Sequence, residues 1–109
     1  MNKEQFDKVI TDQWIRCVET LEEKAKEYVF SEDRLQHFKT SAAEQEITPR
    51  AALWGMASKH ITSIGNMCRN ENAFSNDPWP IPLWSEKITD ALNYLFLLRA
   101  LVEEEFDQC

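Results

Sequence analysis

A chain of 109 residues, 43% hydrophobic and 28% charged, has the composition of one folded domain that can bury a core without a disulfide or metal staple. Its formal net charge of −7, from 12 Lys+Arg against 19 Asp+Glu, repels nucleic-acid phosphate and disfavours direct DNA or RNA binding. With only 2 glycines it is poorly supplied for the tight turns of a β-protein, and long helices are expected instead. Cys17, Cys68 and Cys109 share no CxxC spacing. An odd count of this kind points to reduced thiols and away from zinc. No run approaches a membrane span, and "MNKEQFDKVI" lacks the apolar centre of a signal peptide, so a cytoplasmic protein without membrane contact is expected.

Asn2 followed by Gln5 has capping-box spacing and opens a first helix, expected over about 3–29. Phe6, Ile10, Trp14, Cys17, Leu21, Ala25 and Tyr28 keep one apolar stripe along it. At 1.5 Å per residue such a helix is roughly 40 Å long, which is long for so small a domain. Ser31 or Asp33 can cap a second helix over 33–45, with Leu35, Phe38 and Ala42 on its apolar side. In "EITPRAAL" Thr48 caps and Pro49 takes the first position of a third helix over 49–69, whose stripe is Leu53, Ala57, His60, Ile64 and Met67. Residues 70–84, with three prolines, Phe74 and Trp79, read as a loop. Ser85 then caps a fourth helix over 85–105, with Trp84, Ile88, Ala91, Leu95, Leu98 and Val102 on one face. Phe96, Leu97 and Leu101 lie off that stripe, so this helix is either central to the fold or shared with a second subunit. The expected fold is a single-domain, all-α four-helix bundle that forms homo-oligomers.

Candidate chemistry begins on the fourth helix, where Glu86 and Asp90 are spaced i,i+4 just before the apolar run. A cation between two such carboxylates relieves their repulsion, and Mg²⁺ takes carboxylates together with substrate phosphates. On the first helix Glu19, Glu23 and Glu27 form a similar row, so Glu23, Glu27, Glu86 and Asp90 are the candidate metal-binding and catalytic set. A solvated helix face explains each row equally simply, and acids are in any case favoured in a first turn. Lys24, Tyr28, Arg34 and His37 gather near the first helix junction, where two cations beside an aromatic ring can clasp phosphate and stack a base. The plain alternative is a lysine snorkelling past the core beside an arginine at a helix start. Lys59 can contact phosphate. His60, in the middle of an apolar stripe, is either a hydrogen-bonded core histidine or an acid–base group. Trp79, between two prolines, is a lid, an anchor for a partner, or a plug for the end of the bundle.

"KAKEYVFSEDRLQHF", "GMASKHITSIGNM" and "WSEKITDALNYLFLL" give the chain a resemblance to small phage and prophage proteins of unassigned role, over roughly residues 14–102. The layout is also similar to phage nucleotide-modification-associated domains and, more remotely, to MazG-type all-α nucleoside-triphosphate pyrophosphohydrolases. That resemblance implies an oligomer whose acidic residues on neighbouring helices bind Mg²⁺ and hydrolyse a nucleotide between its α- and β-phosphates. The MazG signature is an ExxE pair followed by ExxD. Here "ETLE" supplies Glu19 and Glu22, but Glu86 to Asp90 is one residue too long, and Lys87 stands where the signature glutamate belongs. Asp90 is the position that carries over. Two functions follow as expectations. One is a MazG-like nucleotide-binding protein acting as a Mg²⁺-dependent pyrophosphohydrolase, with Lys24, Arg34 and Lys59 on phosphates. The other is a non-catalytic counter-defence protein that sequesters a nucleotide signal or, like an anti-CRISPR protein, inhibits a host defence protein.

Overall fold

Asn2 and Gln5 close the expected capping box. The Gln5 amide donates to Asn2 Oδ1 at 2.8 Å, and the Asn2 amide donates to Gln5 Oε1 at 2.9 Å. They open α1 (Lys3–Tyr28) in the computed structural model, which describes residues 1–28, 31–70 and 79–107. The helix α2 (Gln36–Gln45) starts later than the capping pattern implies. Asp33 spends its carboxylate on the Leu35 amide, 2.9 Å away, and so shapes a turn ahead of the helix. Glu46 ends α2 in the left-handed region, at φ 57°. Thr48 accepts from the Ala51 amide at 3.2 Å and Pro49 begins α3 (Pro49–Cys68), as the sequence pattern predicts.

The fourth helix, α4 (Ile81–Asp107), corrects the expected boundaries. The Pro80 carbonyl already accepts from the Leu83 and Trp84 amides at 3.0 and 3.2 Å, so Ser85 lies inside the helix and caps nothing. Prolines at the start of a helix lose no hydrogen bond, because the first-turn amides have no intrahelical acceptor. The proline-rich stretch that reads as loop is therefore partly helix. Phe74 and Pro78 lie outside the described residues, as does Cys109.

Leu35, Phe38, Leu53, Ala57 and Leu101 form the buried core, with Met56, Tyr94, Leu97 and Leu98 packed against it. These residues come from the approach to α2 and from α2, α3 and α4. The first helix contributes Cys17 and meets α4 through an edge-on Trp14–Phe96 contact and through polar contacts. Gln13 Nε2 donates to Thr89 Oγ1 at 2.8 Å, and Asn93 Nδ2 donates to the Cys17 carbonyl at 3.2 Å. Packed by α3 and by α1, α4 is the central helix, which is why its sequence is apolar on so many sides.

The all-helical bundle is as the periodicity predicts, but two predicted stripes are not fully covered. Phe6, Ile10 and Trp14 on α1 are 54%, 52% and 55% exposed, and Leu95 on α4 is 44% exposed. The side chains by which α1 meets α4, among them Gln13, Trp14, Cys17 and Lys24, lie beyond its first turns, which stay open. The radius of gyration is 16.5 Å, against about 13 Å for a compact chain of this length. Among the described residues no helix is long and apolar enough to cross a membrane.

The acidic run at the end of α4 is answered in cis. Glu103 pairs with Arg99 and Glu104 with Lys39, each at 2.5 Å, while Glu105 pairs with Arg50. Lys39 also holds Asp33 at 2.5 Å, so one ammonium ties the α1–α2 connection to α2 and α4. Hydrogen bonds from Lys39 and then from the Leu35 amide hold the Asp33 carboxyl below the usual carboxylate range. The same partners, Asp33 first and Glu104 second, raise the Lys39 ammonium above its ordinary value.

Candidate functional site

Where α1 crosses α4 beneath the start of α2, the three elements leave a cleft of about 310 Å³. That volume is at the small end of the range for ligand pockets. Leu21 and Ala25 from α1, Phe38 from α2 and Leu97 from α4 make its apolar walls. Its polar groups are Lys24, Arg34, His37, Asp90, Asn93 and Tyr94. Helical spacing explains the α4 contribution, because Asp90, Asn93, Tyr94 and Leu97 recur at three- and four-residue intervals and so share one side of the helix.

Lys24 Nζ stands 3.5 Å from Asp90 Oδ1, with the lysine side chain 57% exposed and the aspartate 18%. Arg34 reaches Glu22 at 3.7 Å, and both side chains are largely open to water. Both pairs are long and both cations are well exposed, so either cation can turn to an incoming anion. Deeper in, Asn93 is 6% exposed and its amide orientation is fixed, because Nδ2 must face the Cys17 carbonyl. That leaves Asn93 Oδ1 buried and without a donor among the described residues. An orphaned buried acceptor costs about 1–3 kcal/mol, which a bound group carrying N–H or O–H can recover. Tyr94 is steadied from behind by His60, whose ring lies 4.9 Å from it at an interplanar angle of 31°.

The structure brings together Lys24, Arg34 and Asp90 from the sequence-derived candidates, with His37 beside them. His60 touches the site indirectly, through Tyr94. Glu23, Glu27 and Glu86 are exposed, and Lys59 is exposed on α3; none of the four lines the cleft. Among the described residues no three His, Cys, Asp or Glu side chains group closely enough to hold a metal ion, so Glu23, Glu27, Glu86 and Asp90 do not converge. Tyr28 is the last residue of α1, and its side chain lies outside what the structure describes. Trp79 is part-exposed just ahead of α4 and is not a cleft residue.

Two cleft features do not stand out as ligand-binding in the sequence, the Asn93 carbonyl and the Tyr94 ring. A signal is nonetheless present in "DALNYLFLL", where an asparagine sits inside an apolar helix and must either find partners or leave a polar group unpaired. No protein-family model, no curated protein and no solved structure matches this chain.

Proposed function

We propose that this protein binds a small phosphorylated ligand carrying a donor-bearing planar ring, of which a nucleotide is the type, in the cleft between α1, α2 and α4. One observation carries the proposal: Asn93, whose buried Oδ1 has no donor among the described residues, lines the same small cleft as two cations, Lys24 and Arg34, and the Tyr94 ring. A base amino group would donate to Asn93 Oδ1, the ring would lie near Tyr94 and Phe38, and Lys24 and Arg34 would take the phosphate charge. The resemblance to phage nucleotide-handling proteins supports the same ligand class.

Binding without turnover is the version favoured. Among the described residues Asp90 is the one carboxylate lining the cleft, and it faces Lys24. One carboxylate does not make a resident metal site, so Mg²⁺ enters only as a counter-ion carried by a phosphate chain. Sequestration of a nucleotide signal fits such a cleft. An acidic decoy for a nucleic-acid-binding host protein fits less well, because Glu103, Glu104 and Glu105 are each answered by a cation of this chain.

The test is calorimetric titration with a panel of mono-, di- and triphosphate nucleosides and cyclic dinucleotides, with and without Mg²⁺, beside a pyrophosphate-release assay. Binding that is lost in Lys24→Gln/Arg34→Gln, with no release, supports the proposal. Release that disappears in Asp90→Asn would restore the pyrophosphohydrolase. Absence of any binding would reject the cleft as a nucleotide site.

A further inference from the structure

The N-terminal half of α1 carries an apolar face that the described part of the chain leaves about half exposed. Phe6, Val9, Ile10, Trp14, Ile15 and Val18 are each between 41% and 55% exposed, and Phe96 of α4 continues the patch by packing edge-on against Trp14 at 5.4 Å. Phe6, Ile10, Trp14 and Val18 recur every four residues and so form one strip, with Val9 and Ile15 on its two flanks. We propose that this strip is the interface through which two copies of the chain pair, α1 against α1, as a symmetric dimer.

Area is the first support. With side chains of roughly 150–250 Å² each exposed to these fractions, the strip presents roughly 600 Å². That is at the upper end of what a soluble monomer leaves uncovered. Two such faces with their flanks offer at most roughly 1,200 Å², the lower bound of specific interfaces before any polar rim is counted.

Charge is the second support, and it selects a second copy over another partner. Residues 1–18 hold Lys3, Lys8 and Arg16 against Glu4, Asp7 and Asp12, which sums to zero, so the whole net charge of −7 lies in the remaining residues. Two copies of an acidic protein repel each other nearly everywhere else, and can approach here without that cost. The flanking charges are also already paired within the helix, Lys3 with Asp7 and Lys8 with Asp12, each at 2.6 Å, so they need no partner across the interface. A twofold axis must join a patch to itself, and an apolar strip with a neutral rim is self-complementary. Antiparallel pairing centred on Ile10 sets Phe6 of one copy level with Trp14 of the other, because the two are equally far from the axis.

Sedimentation velocity of the intact chain from about 1 to about 100 μM, with Ile10→Glu and Phe6→Lys beside it, tests the proposal. The expected result is a dimer for the unsubstituted protein and a monomer of unchanged helical circular dichroism for the variants. Should a variant unfold, Ile10→Cys in a Cys68→Ser/Cys109→Ser background, where the remaining Cys17 is buried, gives an independent readout, since it should form a disulfide-linked dimer on mild oxidation. An unsubstituted protein that stays monomeric at about 100 μM overturns the proposal and leaves the face to another protein or to another part of this chain. A dimer that persists in both Ile10→Glu and Phe6→Lys, with no cross-link in the Ile10→Cys protein, places the interface elsewhere and overturns it equally.

Discussion

Replacing a buried residue usually destabilises a protein, yet Asn93→Leu is expected to do the opposite. The substitution removes two interactions of unequal sign. The hydrogen bond from Nδ2 to the Cys17 carbonyl is lost, at about 0.5–1.5 kcal/mol, although that carbonyl lies within α1 and keeps its helical partner. The orphaned Oδ1 is lost too, and with it a desolvation penalty of about 1–3 kcal/mol. Leucine is close to asparagine in size, and Leu21 of α1 and Leu97 one turn along α4 line the same cleft. The balance is a gain of about 1 kcal/mol, or roughly 4–8 °C in Tm for a domain near this size. Urea unfolding followed by circular dichroism measures it, and Asn93→Asp is the control, because a buried carboxylate there should cost several kcal/mol. In the same variant any nucleotide-induced rise in Tm should vanish. An Asn93→Leu protein less stable than its parent by more than about 1 kcal/mol would refute the idea that this carbonyl waits for a ligand.

The other expectations concern the core, a cap and a charge cluster. Leu53→Ala, at a site with 0% exposure, should cost about 2–5 kcal/mol, while Phe6→Ala should change monomer stability by less than about 0.5 kcal/mol; urea unfolding at concentrations too low for pairing separates them. Thr48→Ala removes the α3 cap and should cost about 1 kcal/mol in the same assay. For Lys39→Met, the stability difference from the parent should depend on pH at both ends. The Asp33 contribution is full above its ordinary value of 3.8 and is lost as pH falls through its lowered folded value. That of Lys39 is full below 10.5 and is lost as pH rises through its raised folded value, so unfolding measured across pH should show a plateau with two declining limbs. A difference that does not change with pH would mean that this cluster does not couple to folding.

Local chemistry is the most legible part of the sequence. The Asn2–Gln5 box and the Thr48–Pro49 start each depend on residues within one turn, and both are present in the fold. The start of α4 is less so, because a proline ends one helix and begins another by the same lack of an amide hydrogen. Periodicity shows the apolar strip of α1 but not what covers it, since where α4 meets α1 is a tertiary fact. In the cleft, cations near a helix junction and Asp90 stand out, whereas the convergence of Glu23, Glu27 and Glu86 with Asp90 does not follow from their spacing. Like-charged rows on two helices meet only if the helices present those faces to each other, and α1 turns Cys17 and Leu21 towards α4 while Glu23 and Glu27 stay in water.

The position of Leu101, fully buried and near the end of α4, has a consequence for the order of assembly. The turn between α2 and α3 is short, so those two helices can meet early as a local pair. Their common floor is missing until α4 arrives, and the bonds that fasten it, Lys39 to Glu104 and Arg50 to Glu105, span 65 and 55 residues. The first helix reaches α4 through contacts 76 residues apart in sequence, from Gln13 to Thr89 and from Asn93 to Cys17, and those contacts bury mainly polar groups. Hydrogen exchange should therefore find α1 the first helix to open, at a free energy well below that of α3. The helix synthesised ahead of the other three is expected to be the last one held, and the cleft it closes should open and shut with it.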